Sequence, residues 1–141
     1  MSGVIVVGVD SSETARKAAD TARDLAVSLD AALHVVTAFD SERTETFGRG
    51  SDQVTFSEAD SAGIVAGSLA KTSGQRLQVT HSAARGRPAD ALIKEAIRLD
   101  ARLIVVGNRR MQGIGRVLGS VANSVAHNAP CDVYIANTYD D

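Results

Sequence analysis

Two stretches of the chain carry residue types whose spacing could do chemistry. "GNRRMQGIGRVLGSVANS", Gly107 to Ser124, follows the apolar run "LIVV", and "VVGVDSS", Val6 to Ser12, closes the first apolar run. In the longer stretch Gly107 allows the chain to turn sharply, Gly113 and Gly115 widen the conformational range, and Gly119 brings backbone close at a helix start. Ser120 adds a hydroxyl beside helix amides that have no intrahelical acceptor. An anion at Gly119, Ser120 and Val121 would meet amide donors, that hydroxyl and the positive end of a helix dipole. Arg109, Arg110 and Arg116 add charge that can pair with phosphate. The same residues also read as a capped helix with solvated arginines, and the loop alone does not choose between the two. In the shorter stretch, the Asp10 carboxylate can accept hydrogen bonds from a sugar or base, or help hold a divalent metal. Its competing role is to cap the next helix together with Ser11 and Ser12.

Other chemistries lack their residues. "GIGRVLG" imitates a dinucleotide fingerprint, but its spacing is GxGxxxG, and no acidic residue closes a following strand about 20 residues on. No glycine-lysine pair precedes a serine or threonine, so a P-loop is absent from the sequence. There is no GxSxG elbow and no HExxH. His34, His81 and His127 fall on separate predicted elements without ligand spacing. Cys131, the one cysteine, has no internal disulfide partner and reads as a small packed residue. No catalytic set emerges, and turnover is not predicted from the residues.

The elements that would position these loops alternate in period. "VIVVGV" (Val4 to Val9) is a continuous β-branched run, as expected of a strand covered on both faces. A helix follows, with Ala15, Ala18, Ala19, Ala22, Leu25, Ala26 and Leu29 on one stripe. "ALHVVTAF" and "LQVTHSA" (Leu77 to Ala83) read as the second and third strands. Between them lie a polar stretch over 40–57 and a weaker helix in which Ala62, Val65, Ala66, Leu69 and Ala70 form a stripe. Pro88 opens the next helix, striped by Ala89, Leu92, Ile93, Ala96 and Ile97. "RLIVVG", "GSVANSVAHNA" and "CDVYIAN" supply strand four, a short helix and strand five. The order βαβαβαβαβ predicts a five-stranded parallel sheet between helical layers, a three-layer α/β/α sandwich. If three strands build outward and the fourth returns beside the first, the switch point lies between strands one and four. Ligands bind outside the carboxyl ends there, where "GVDSS" and "GNRR" would converge.

Composition narrows the classes. With 141 residues, 44% hydrophobic and 23% charged, the chain suits one domain over residues 1–141. A net charge of -2 and a pI near 5.9 give no basic footprint for nucleic acid. No run approaches the roughly 18 apolar residues of a membrane span. "MSGVIVVGVD" is strand-like rather than a secretory leader, so a cytoplasmic location is expected.

Taken in order, "VVGVDSS", "GRPADALIKEA" and "LIVVGNRRMQGIGRVLGSVANSVAHNAPCDVYI" resemble the single-domain universal stress proteins over nearly the whole chain. The resemblance implies an adenine-nucleotide α-hydrolase-like (Rossmann-like) fold with five parallel strands. It implies a stress-responsive ATP-binding regulatory module, with Mg²⁺ or Mn²⁺ accompanying the nucleotide and weak ATPase activity at most. The ATP-binding members carry G-x2-G-x9-G-[ST], which Gly107, position 110, Gly119 and Ser120 would fill. Here position 110 is arginine, and eight residues rather than nine separate it from Gly119. Arg110 then either clamps a phosphate or fills its place. Carried over position by position, Asp10 binds the adenosine end, Ala38 lines the adenine, and the backbone of Gly86 and Arg87 contacts the base from another side. Gly107, Gly119, Ser120 and Val121 hold ribose and phosphates. The family also implies a homodimer through the last strand, Asp132 to Asn137. The alternative is a dimeric protein-interaction module that binds no nucleotide.

Overall fold

The computed structural model describes residues 3–9, 13–39, 44–47, 54–57, 61–73, 77–108 and 119–138. Chain order is β1 (Val4–Gly8), α1 (Glu13–Leu29), β2 (Ala32–Phe39), β3 (Thr44–Phe47), β4 (Val54–Ser57), α2 (Ser61–Ser73), β5 (Val79–Arg85), α3 (Pro88–Arg98), β6 (Leu103–Gly107), α4 (Ser120–Asn128) and β7 (Asp132–Ala136). Five strands form one parallel sheet in the order β5-β2-β1-β6-β7. The first three strands of that sheet run outward in chain order, and β6 returns beside β1. The switch point therefore falls between β1 and β6, as the alternation of periods predicts.

Continuous apolar runs occupy the middle of the sheet because both faces are covered. Ile5, Val6, Val7, Ile104 and Val105 are fully buried. On one face Ile5, Val7, Leu33, Val35 and Val105 pack with Ala18, Ala19, Ala22 and Ala26 of α1 and with Val65, Ala66 and Leu69 of α2. On the other, Val6, Val36, Ile104 and Val106 pack with Ala89, Leu92 and Ala96 of α3 and with Ala122 and Val125 of α4. The alanine stripe of α1 lets that helix lie close to the sheet. This is the three-layer α/β/α sandwich.

Four expectations need correction. The polar 40–57 stretch holds two further strands, β3 and β4, paired antiparallel from Thr44↔Ser57 to Phe47↔Val54 as a separate ribbon. β-branched and aromatic residues favour strands even when polar neighbours mask the pattern. On α3 the apolar stripe is rotated, with Glu95 buried and Ile97 64% exposed. On α1 Leu29, the final residue of the helix, is exposed. The third strand of the main sheet also begins later, at Val79 rather than Leu77, and runs on to Arg85.

Helices α1 and α3 end alike. Asp30 and Asp100 adopt left-handed φ values of 53 and 51. The amides of Ala31 and Ala101 then reach back to the carbonyls of Ala26 and Ala96, each at 2.9 Å. This geometry satisfies late helix carbonyls and turns the chain into β2 and β6. Aspartate is among the few side chains that tolerate it without glycine.

Candidate functional site at the carboxyl edge of the sheet

Parallel strands deliver all their carboxyl ends to one edge, and the helices that return from that edge start there. Ala38 pairs with Ala84, and Phe39 with Arg85, so Gly86 and Arg87 lie just beyond the end of β5. The Val9 amide donates to the Val36 carbonyl at 2.8 Å and holds the exit of β1 beside β2. β6 ends at Gly107 on the opposite side of β1. Crossing from β6 to β5 takes three strand spacings, about 14 Å. Ala38, Gly86, Arg87, Gly107 and the start of α4 thus share one edge, on both sides of the switch point. Asp10, Ser11, Ser12, Arg109, Arg110 and Gly113 lie outside the described residues.

The start of α4 has the form an anion needs. Gly119 is its cap residue, with φ -61 and ψ 155, and supplies no side-chain cap hydrogen bond. The Gly119 carbonyl accepts from the Asn123 amide at 2.9 Å, which begins the helical ladder. The amides ahead of Asn123 precede that ladder, and no cap side chain turns back to them. Ser120 is exposed and half-buried Val121 packs against the core beneath α3 and α4. A glycine cap leaves the helix dipole open to an external anion.

Gly86 and Gly107 are glycines for different reasons. Gly86 has φ +133, a conformation that side chains with Cβ rarely adopt, and a Cβ there would meet nothing within 4 Å. Its cost of replacement is conformational. At Gly107 a Cβ would lie 3.1 Å from Thr138 Cγ2 and 3.7 Å from Ala18 Cβ. Its φ is not left-handed. The sharp turn expected of Gly107 is therefore replaced by a packing requirement, with α1 on one side and the chain leaving β7 on the other.

Asn108 and Thr138 carry a role the sequence reading missed. The Asn108 amide donates to the Ala136 carbonyl at 3.0 Å. Its Oδ1 accepts from the Thr138 amide at 2.8 Å and from Thr138 Oγ1 at 3.0 Å. Its Nδ2 donates to Asn137 Oδ1 at 3.2 Å. Thr138 is 2% exposed. The signal was an asparagine directly after Gly107, a residue type that bonds readily to nearby backbone.

A second polar group sits beneath α3, away from this edge. His34, in the first half of β2, is 4% exposed and Glu95 is 7% exposed. The Glu95 carboxylate accepts from Ser82 Oγ and from Arg98 Nε, both at 2.5 Å. Because an ionised carboxylate only accepts, the Ser82 hydroxyl donates to it, and His34 Nε2 must then donate to Ser82 at 2.9 Å. The remaining ring nitrogen, Nδ1, accepts from the Thr80 hydroxyl at 2.6 Å. Burial lowers the His34 pKa against the pull of Glu95, with Arg98 and His81 adding to the lowering. Arg98, by hydrogen bonding, holds the Glu95 carboxyl below its usual range, aided by Ser82 and opposed by burial. The cluster is a satisfied network and not a metal site. Among the described residues, no group of three or more His, Cys, Asp and Glu could hold a metal. Cys131 is half-buried against the core beneath α3 and α4, and burial raises its thiol pKa, with Asp132 adding to the effect.

A doubly wound parallel sheet, with a glycine-capped helix opening at its switch-point edge, defines a Rossmann-like α/β domain. The chain belongs to the universal stress protein family, which it matches over residues 1–137. It is 31% identical over 131 residues to Universal stress protein Rv3134c of Mycobacterium tuberculosis, covering 93% of this chain and 47% of that protein. The chain thus spans about half the length of that curated relative. It is 34% identical to Universal stress protein Rv1636 of the same organism, covering 95% of each. Among solved structures, a universal stress protein in complex with cAMP superposes with a TM-score of 0.73 at 30% identity, covering 97% of this chain and 98% of that one. No described helix is long and apolar enough to cross a membrane.

Proposed function

We propose that the chain is a cytoplasmic, stress-responsive module that binds an adenine nucleotide, ATP foremost, at the carboxyl edge between β1 and β6. It works by binding and hydrolyses slowly or not at all. The observation that carries this reading is the glycine-capped start of α4 at the topological switch point. A cAMP complex in a structure of the same fold and 30% identity supports it. Gly119, Ser120 and Val121 hold phosphate through amides, hydroxyl and dipole, while Gly107 supports the ribose side. Ala38 and the backbone of Gly86 and Arg87 receive the base. Asp10, Ser11, Ser12, Arg109, Arg110 and Gly113 complete the set from the two flanking loops. Mg²⁺ or Mn²⁺ enters with the nucleotide and offsets its phosphate charge.

The chain also forms a homodimer through Asp132 to Asn137. β7 is an edge strand carrying exposed Tyr134 and Ile135, and pairing it with a second copy covers unpaired backbone and apolar surface together. That same observation favours the second reading, an interaction module without nucleotide. Isothermal titration of nucleotide-free protein with ATP, AMP and cyclic AMP, each with Mg²⁺, separates the two. Saturable binding at one site per chain is expected. No heat up to millimolar ATP refutes nucleotide binding and leaves the interaction module. For the dimer, light scattering across a dilution series should show a two-chain mass that Ile135→Asp converts to one.

A further inference from the structure

We propose that Asn108 is a positioning residue for the nucleotide site, fixing the start of the glycine-rich loop to the chain that leaves β7. The inference rests on the nucleotide reading above and assigns a role to residues that reading does not use. β6 delivers its last residues to the carboxyl edge, and Asn108 is the first residue past the strand. There the chain is held four times over. Its amide bonds to Ala136, Oδ1 takes two donors from Thr138, and Nδ2 reaches Asn137. Both lone pairs of Oδ1 are spent on one residue, and that residue is almost fully buried. One step earlier, Gly107 leaves room for the Thr138 methyl at 3.1 Å from where a Cβ would stand. Hydrogen bonds and packing thus fix the same junction from two sides.

The consequence concerns the cost of binding. A ligand that must itself fix the backbone it binds against spends part of its interaction energy doing so, and Gly107 with Asn108 is the backbone held here. With Asn108 in place that junction is ordered before any ligand arrives. Releasing that junction moves the cost onto the ligand, and affinity falls although the Asn108 side chain is engaged with Asn137 and Thr138. The last strand thereby bears on the site, since Asn137 and Thr138 follow it directly.

The test is titration of Mg²⁺-ATP into wild-type protein, Asn108→Ala, Thr138→Val and Thr138→Ser, with urea unfolding of each. Asn108→Ala should weaken the Kd about tenfold while one site per folded chain is retained. Thr138→Val keeps the methyl over Gly107 and removes the hydroxyl donor, so it should weaken the Kd severalfold. Thr138→Ser restores the donor and loses the methyl, so affinity should recover while the urea midpoint stays lowered. If Asn108→Ala lowers only the urea midpoint and leaves the Kd at the wild-type value, the role is structural and the proposal is overturned. Should Asn108→Ala fail to fold, the Thr138 pair decides alone: equal affinities for Val and Ser overturn it. Wild-type protein that binds no ATP refutes the nucleotide reading, and this inference with it, before any variant is compared.

Discussion

At Gly107 the residue type was legible in the sequence and its reason was not. A glycine directly after "LIVV" signals that a side chain is unwelcome, but only the fold shows that Thr138, 31 positions later by the two residue numbers, is the neighbour that forbids it. Gly86 is the converse, a residue whose torsion carries the cost and whose surroundings are open. Gly86→Ala should therefore destabilise the protein by about 1–2 kcal/mol in urea unfolding, the scale of one strained torsion. An unchanged midpoint would mean the turn before α3 relaxes freely. Thr37, 1% exposed, presents the opposite case. Among the described residues its Oγ1 is a buried side-chain oxygen with no hydrogen-bond partner. Thr37→Val keeps the shape and deletes the unsatisfied hydroxyl, so stability should rise by about 1 kcal/mol. A loss of stability would show that the hydroxyl is bonded in solution.

Elements with a strong single period were the most legible. β1, β2, β6 and the alanine stripe of α1 follow from runs and spacing, because burial on two faces or one leaves a regular mark. Where polar residues enter the interior the mark fails. On α3, helical spacing cannot tell that Glu95 turns inward to Ser82 and Arg98 while Ile97 faces solvent. The β3–β4 ribbon was hidden for a related reason, since its strands are four residues each and at least half polar. The network beneath α3 makes acid a threat to the fold. Folded His34 binds its proton less readily than the unfolded chain, whose value is about 6.5, so the unfolded chain takes up more protons below that pH. Stability therefore falls as pH drops from about 6.5 toward the lowered folded value. Glu95 acts in the same direction at lower pH, as its carboxyl protonates below the usual 4.5. Urea unfolding between pH 7 and pH 5 should lose stability more steeply in wild-type protein than in His34→Gln, which keeps a donor and an acceptor but does not titrate in that window. Equal slopes would assign acid sensitivity to another group.

For the whole molecule, alternation of strands and helices was enough to place the switch point, and with it the edge where Ala38, Gly86, Gly107 and Ser120 gather. Chain order cannot show what joins the exits of β6 and β7 laterally, which is why the tie from Asn108 to Thr138 emerged only from the fold. The central claim is that the start of α4 is kept uncapped for a phosphate. Gly119→Asp tests it most directly, because one substitution should move stability and affinity in opposite directions. An aspartate at the cap position satisfies helix amides and complements the dipole, adding a few tenths of a kcal/mol or more relative to glycine. It also puts negative charge where the phosphate would sit. The measurement is Mg²⁺-ATP affinity by titration calorimetry beside urea unfolding, for wild-type protein and Gly119→Asp. The account predicts a midpoint that holds or rises together with a Kd at least tenfold weaker. Wild-type affinity in a Gly119→Asp protein that folds normally would contradict it.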